Sequence, residues 1–177
     1  WDAVEGLKDT LGMNGVTSNY QYKTAPYTWE LVQNLKKGKA LFTQPPMPIK
    51  CAGAPQKAMY LSADYWYRQG VIDNIDIQFN TATPGLFGVA EYVPALMEYV
   101  KKYDATLNFQ NNLVKIDGEK KVATFKNSDG VTEDTDFDMI HVCPPQCAPD
   151  FIRQSPLVDD AGWIDVDQNT LQHKRYA

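Results

Sequence analysis

Cys51 is the side chain in this sequence whose surroundings best suit covalent chemistry. It stands in Lys50-Cys-Ala-Gly-Ala-Pro-Gln-Lys57, after a short apolar run at residues 40–43 and three prolines, Pro45, Pro46 and Pro48. The prolines remove backbone donors and stop the run from continuing as a strand. Gly53 permits a close backbone approach, and Pro55 suits the first turn of a helix. A helix N-terminus with Lys50 and Lys57 nearby favours a thiolate, the reactive form of cysteine. The other reading of Cys51 is a small apolar residue buried in a strand-to-helix turn.

The remaining candidates are weaker. His141, Cys143 and Cys147 form His-x-Cys-x-x-x-Cys, with His141 and Cys143 on one face of a strand. Zinc needs a fourth ligand and a more familiar spacing, so no metal site is assigned. An accessory thiol role or a structural one is left for Cys143 and Cys147. Cys51 is expected to be the most reactive of the three thiols. His173 reads as an exposed polar residue, and Tyr60, Tyr65, Trp66 and Tyr67 read as core.

The elements that must position Cys51 follow from hydrophobic periodicity. Residues 1–15 read as irregular or a single helical turn, and residues 16–23 alternate loosely as a strand centred on 19–22. Residues 24–38 carry Trp29, Val32 and Leu35 at helical spacing, with Gly38 as terminator. Residues 56–69 form a second helix, apolar over most of its circumference and so expected to pack on more than one side. Residues 74–80 alternate as a strand, and 89–103 form a helix with Val93, Leu96, Met97 and Val100 inward. One strand is expected from 105 to about 116, a hairpin partner at 121–126, and a last strand at 137–143 running into Pro144-Pro145. The remainder reads as extended loop.

This order predicts an α/β fold. It fits a Rossmann-like βαβ core with a small antiparallel meander, of the kind that forms the second dinucleotide-binding-type domain of a two-domain flavoprotein. The expected division is a connecting segment at 1–38, the Rossmann-like domain at 39–143, and a return segment at 144–177.

The whole chain sets further bounds. With 177 residues, 44% of them hydrophobic, it has the composition of a globular protein. A net charge of -5 without a basic run argues against nucleic acid as a partner. Three cysteines in no framework spacing argue against a disulfide-stapled secreted domain. No apolar run is long enough to span a membrane. The chain opens on Trp1 and ends in a polar stretch, and is expected to be a soluble piece excised from a longer protein. A nicotinamide site in this fold needs Gly-x-Gly-x-x-Gly in the first βα turn and an acidic residue or Arg after the second strand. Here the turn holds one glycine and the strand ends Phe79-Asn80-Thr81, so no nicotinamide site is expected.

Against that background the segment around Cys51 resembles the redox-cysteine segment of the sulfide:quinone oxidoreductases, in particular their mitochondrial-type branch. The likeness extends to Gly38-Lys-Ala-Leu-Phe-Thr43, Phe87-Gly88-Val89, His141-Val-Cys-Pro-Pro145, Ala161-Gly-Trp-Ile-Asp-Val-Asp167 and Thr170-Leu-Gln-His-Lys-Arg-Tyr176. The resemblance implies a full-length flavoprotein that binds FAD, oxidises sulfide and passes electrons to a quinone. It implies that Cys51 is the upstream of two redox cysteines and faces the flavin, that Pro144 and Pro145 approach the flavin, and that the second cysteine lies beyond Ala177. In such enzymes sulfide opens a disulfide between the two cysteines. It further implies peripheral contact with the cytoplasmic or organellar side of a membrane, through a C-terminal part outside this sequence. No FAD is expected to bind these 177 residues alone. Two other readings stay open: an NAD(P)H-dependent flavoprotein reductase of the same fold, and a non-catalytic interaction module with an inert Cys51.

Overall fold

In the computed structural model, which describes residues 1–176, the chain divides into two compact units, 1–145 and 146–177. The first unit begins with one helical turn, α1 (Leu7–Thr10), a short strand β1 (Val16–Thr17) and helix α2 (Ala25–Asn34). β2 (Gly38–Gln44), α3 (Ala54–Arg68), β3 (Ile75–Thr81), α4 (Val93–Lys102) and β4 (Thr106–Phe109) follow. β5 (Asn112–Asp117), β6 (Val122–Lys126) and β7 (Thr132–Asp136) come next, and β8 (Met139–His141) closes the unit.

Five strands make a parallel sheet in the order β1-β8-β2-β3-β4, and β5-β6-β7 make a separate antiparallel meander. The α/β class with a Rossmann-like core and small meander is the observed one. β2 is the central strand and is buried on both faces over residues 40–43, which is why it reads as a continuous apolar run rather than an alternation. One face of the sheet packs Ala40, Phe42, Ile77 and Phe79 against Ala58, Met59, Ala63 and Trp66 of α3. The other packs Leu41, Ile140 and Val142 against Leu113, Ile116 and Phe125 of the meander and Leu7 of α1.

Several elements differ from their sequence pattern. Of the strand expected within 16–23, centred on 19–22, only Val16–Thr17 forms, and both its side chains are buried. The single strand expected from 105 to 116 is two, in different sheets. Gln110 takes φ 52, a left-handed turn that carries the chain from β4 to β5. β7 has no signature in the sequence, because all five of its residues are polar and no alternation marks it. α3 buries one face only: Leu61 is 66% exposed and Tyr67 also points to solvent. Trp66, by contrast, is fully buried and donates its indole N–H to the carbonyl of Val32 at 2.8 Å, tying α3 to α2.

The second unit holds one helical turn, α5 (Asp150–Arg153), and two isolated bridges, Val158 with Ile164 and Val166 with His173. His173 is not the exposed residue its sequence position suggested. Its Nδ1 accepts the backbone N–H groups of Arg175 (3.0 Å) and Tyr176 (3.2 Å), so the proton sits on Nε2, which donates to the Leu157 carbonyl at 2.9 Å. The ring thus holds the last turns of the chain together.

Candidate functional site at the carboxyl edge of the parallel sheet

Because all five strands run the same way, their carboxyl ends share one edge. β2 continues through β3 and β4 on one side, whereas β8 lies on the other, so the topological switch falls between β2 and β8. In open α/β sheets ligands bind outside the carboxyl ends at such a switch. The loop after β2 carries Cys51, and the segment after β8 is Cys143-Pro144-Pro145. The topology therefore places the sequence candidates on loops leaving adjacent strand ends.

The crevice between those ends is narrow and lined by Thr43, Gln44, Pro45, Cys143 and Pro145, with Val4, Asn112 and Leu113. Thr43 Oγ1 accepts the backbone N–H of Cys143 at 3.1 Å, closing the two strand ends onto each other. Prolines and a buried cysteine occupy the ground where a phosphate-cradling turn would present glycine N–H groups. Gln44 Oε1, buried here, has no hydrogen-bond partner among the described residues.

Cys51 itself is exposed. Its carbonyl accepts the Ala54 N–H at 3.1 Å, making the turn that leads into α3. α3 begins three residues later, with Gly53 as the residue before it and Pro55 in its first turn. Cys51 thus precedes the helix cap rather than sitting in the first turn. Lys50 and Lys57 are both exposed. Pro144 is buried and Pro145 partly so, while Cys143 is buried at 2% exposure.

At the end of β3, Asn80 takes the place of a ribose-binding carboxylate. It is buried, and its Oδ1 accepts amide N–H groups from Asn108 and Asn111, both at 2.9 Å. Its acceptor is thus already used by its neighbours. Thr81 and Thr83 share a hydroxyl–hydroxyl bond of 2.7 Å beside it.

His141 lies deeper in the sheet and is 1% exposed, stacked on Phe42 with ring centroids 6.1 Å apart. Its Nε2 accepts the Asn19 N–H at 3.0 Å, so Nδ1 carries the proton; that atom has no partner among the described residues. Burial without a counter-charge pushes its pKa down to about 4, so the ring is neutral at physiological pH. Among the described residues no group of three or more His, Cys, Asp and Glu is placed to hold a metal ion. His141 is a core residue, and strand alternation alone puts it on one face with Cys143.

No family model matches the chain. It is 43% identical, over 99% of its length, to the mitochondrial sulfide:quinone oxidoreductase of Mus musculus. The match to the enzyme of the same name from Dictyostelium discoideum is also 43% over 99%. In sequence the chain is similar to the mitochondrial sulfide:quinone oxidoreductases. It spans about 40% of the length of those curated relatives. Among solved structures, the sulfide:quinone oxidoreductase of Aquifex aeolicus superposes with a TM-score of 0.69 at 14% identity, covering 85% of this chain and 35% of that one. A chain in the cryo-EM structure of the Tetrahymena thermophila mitochondrial ATP synthase gives 0.77 at 17% identity, over 98% of this chain and 44% of that one. At such low identity these two likenesses speak for the fold alone. The fold is shared with the Aquifex sulfide:quinone oxidoreductase; the sequence likeness is to the mitochondrial ones.

Proposed function

We infer that these residues belong to a longer flavoprotein that oxidises sulfide and delivers the electrons to a quinone. They would supply one redox cysteine and one wall of its catalytic cleft. The observation that carries this reading is the 43% identity to curated sulfide:quinone oxidoreductases over nearly the whole chain. An exposed Cys51 on the loop leaving the central strand adds local support. On this reading 1–38 connects to an FAD domain, 39–143 is the second domain, and 144–177 returns towards the first.

The residues present fit the edge of a flavin better than its phosphates. No Gly-x-Gly-x-x-Gly turn follows any parallel strand, and the crevice at the switch point is filled by Pro45, Cys143 and Pro145. FAD, held mainly by a domain outside these residues, would supply the two-electron acceptor. Cys51 would present a thiolate to it, and Pro144 and Pro145 would shape the contact without offering N–H groups. In the resting enzyme Cys51 would be one half of a disulfide with a second cysteine beyond Ala177. Hydrosulfide attack on the partner sulfur breaks that bond, leaves a persulfide on the partner, and releases Cys51 as the thiolate. Sulfide and quinone are then the substrates. Mitochondrial location and peripheral membrane attachment come with the relatives' names and with the resemblance. Among the described residues no helix is long and apolar enough to cross a membrane.

The test is Cys51→Ser in the full-length flavoprotein. Sulfide-dependent quinone reduction should fall by several orders of magnitude while flavin stays bound, because removing a covalent nucleophile deletes the pathway. Turnover within tenfold of the unaltered protein would remove Cys51 from the mechanism.

A further inference from the structure

The sequence holds one Asn-Gly pair, Asn14-Gly15, and the redox reading makes no use of it. In an open chain such a pair is prone to deamidation, because a glycine nitrogen reaches the preceding carboxamide without steric hindrance. The Gly15 nitrogen attacks Asn14 Cγ, the Cγ–Nδ2 bond breaks, and ammonia leaves with the proton that the nitrogen gave up. Water then opens the five-membered imide at one carbonyl or the other, giving aspartate or isoaspartate. Water is the only co-reactant.

In the fold the pair supplies the two central residues of a tight turn. Asn14 takes φ 55 and Gly15 φ 86, the combination of a type I′ hairpin. The Val16 N–H closes the turn by donating to the Met13 carbonyl at 2.9 Å. Asn14 is exposed, so water and base reach its carboxamide, whereas Gly15 is buried and pinned on three sides. Its N–H donates to the Tyr27 hydroxyl at 3.1 Å. Its carbonyl accepts the Ile140 N–H at 2.9 Å. A Cβ on Gly15 would run into the Asp138 carbonyl oxygen, so the backbone there has no room to swing. Closing the imide ring must turn the peptide plane between the two residues towards the Asn14 side chain. That rotation pulls the Gly15 N–H away from Tyr27.

We propose that Asn14 is a deamidation site gated by Tyr27. It is shut while Tyr27, near the start of α2, holds the Gly15 N–H, and it opens when α2 lifts from the turn. Isoaspartate adds a methylene to the main chain, which a two-residue turn does not accommodate. Its formation would loosen β1, whose Val16 pairs with Ile140 of β8, the strand that runs into Cys143 and Pro144. This proposal stands on the turn alone and is independent of the role of Cys51.

The protein is held at pH 8 and 37 °C, in buffer and in denaturing guanidinium chloride. Peptide mass spectrometry follows the conversion of amide to acid at Asn14, and an isoaspartate-specific methyltransferase counts the isoaspartate. Asn14 should react at least ~10-fold more slowly in buffer, where the reaction waits on local opening. Tyr27→Phe keeps the ring and deletes the acceptor. In buffer it should react about fivefold faster than the parent, the worth of one such hydrogen bond, and in denaturant at the parent's rate. Should that variant fail to fold, the parent's ratio between the two solutions still decides. Equal rates for the parent in buffer and denaturant would overturn the proposal. A folded Tyr27→Phe that reacts no faster than the parent would overturn the gate.

Discussion

The hydroxyl of Thr43 accepts the backbone N–H of Cys143 across a separation of one hundred residues, at 3.1 Å. Both residues are buried at the switch between β2 and β8. Thr43→Val keeps the shape and deletes the acceptor of a buried N–H. The cost should be about 1–3 kcal/mol, read as a lower urea midpoint with an unchanged m-value.

His141 makes the fold acid-sensitive. Its folded pKa of about 4 lies below the value near 6.5 of an unperturbed histidine. The unfolded chain therefore takes up a proton that the folded chain excludes. Stability from this group is complete above pH 6.5 and is lost progressively as pH falls from 6.5 towards 4. The loss approaches about 3 kcal/mol at the lower end. Urea midpoints measured from pH 7 to 5 should fall, and the His141 ring resonances should stay at their neutral positions down to about pH 5. A midpoint near 6.5 for those resonances would refute the assignment.

Gly6 takes φ 75, and a Cβ there would run into the backbone carbonyl oxygen of Ile116. The two segments are held at that distance by the Ile116 N–H donating to the Glu5 carbonyl, at 2.8 Å. Gly6→Ala must either break this contact or strain it, and should cost roughly 2 kcal/mol or more. A thermal melt within one degree of the parent would contradict this close approach.

Burial separates the thiols. Cys51 and Cys147 are exposed, whereas Cys143 is not. With iodoacetamide at pH 7.5, the two exposed residues should label at least ~100-fold faster than Cys143, whose reaction waits on local opening. Peptide mass spectrometry over a time course resolves the three, and early labelling of Cys143 would show that the β8 end is open.

Neither NADH nor FAD should bind these residues alone with micromolar affinity. Asn80 stands where a ribose-binding carboxylate is needed, and its oxygen is occupied by Asn108 and Asn111. Calorimetry with each dinucleotide checks this, and a saturable micromolar isotherm would show a cradle that the strand ends do not reveal.

Much of this protein was legible in its order of residues. The run at 40–43 marks a strand buried on both faces, and Ile75, Ile77 and Phe79 mark its neighbour, because side-chain alternation is a local property of the backbone. The segment around Cys51 carried the likeness to sulfide:quinone oxidoreductases before any fold was known. Other features belonged to the tertiary structure. β7 is polar throughout and is a strand only because β6 offers it a ladder of hydrogen bonds. The break at Gln110 depends on which sheet each half joins. His141 is neutral because the sheet buries it without a counter-charge, and His173 organises the last turns of the chain because their N–H groups converge on its ring. The hollow beside Gly53 brings the ring of Tyr60 from α3 together with those of Phe87 and Tyr92 from the segment before α4. Local sequence encodes conformation and pattern, but burial, charge environment and convergence are sums over residues distant in the chain, and only the folded packing assembles them.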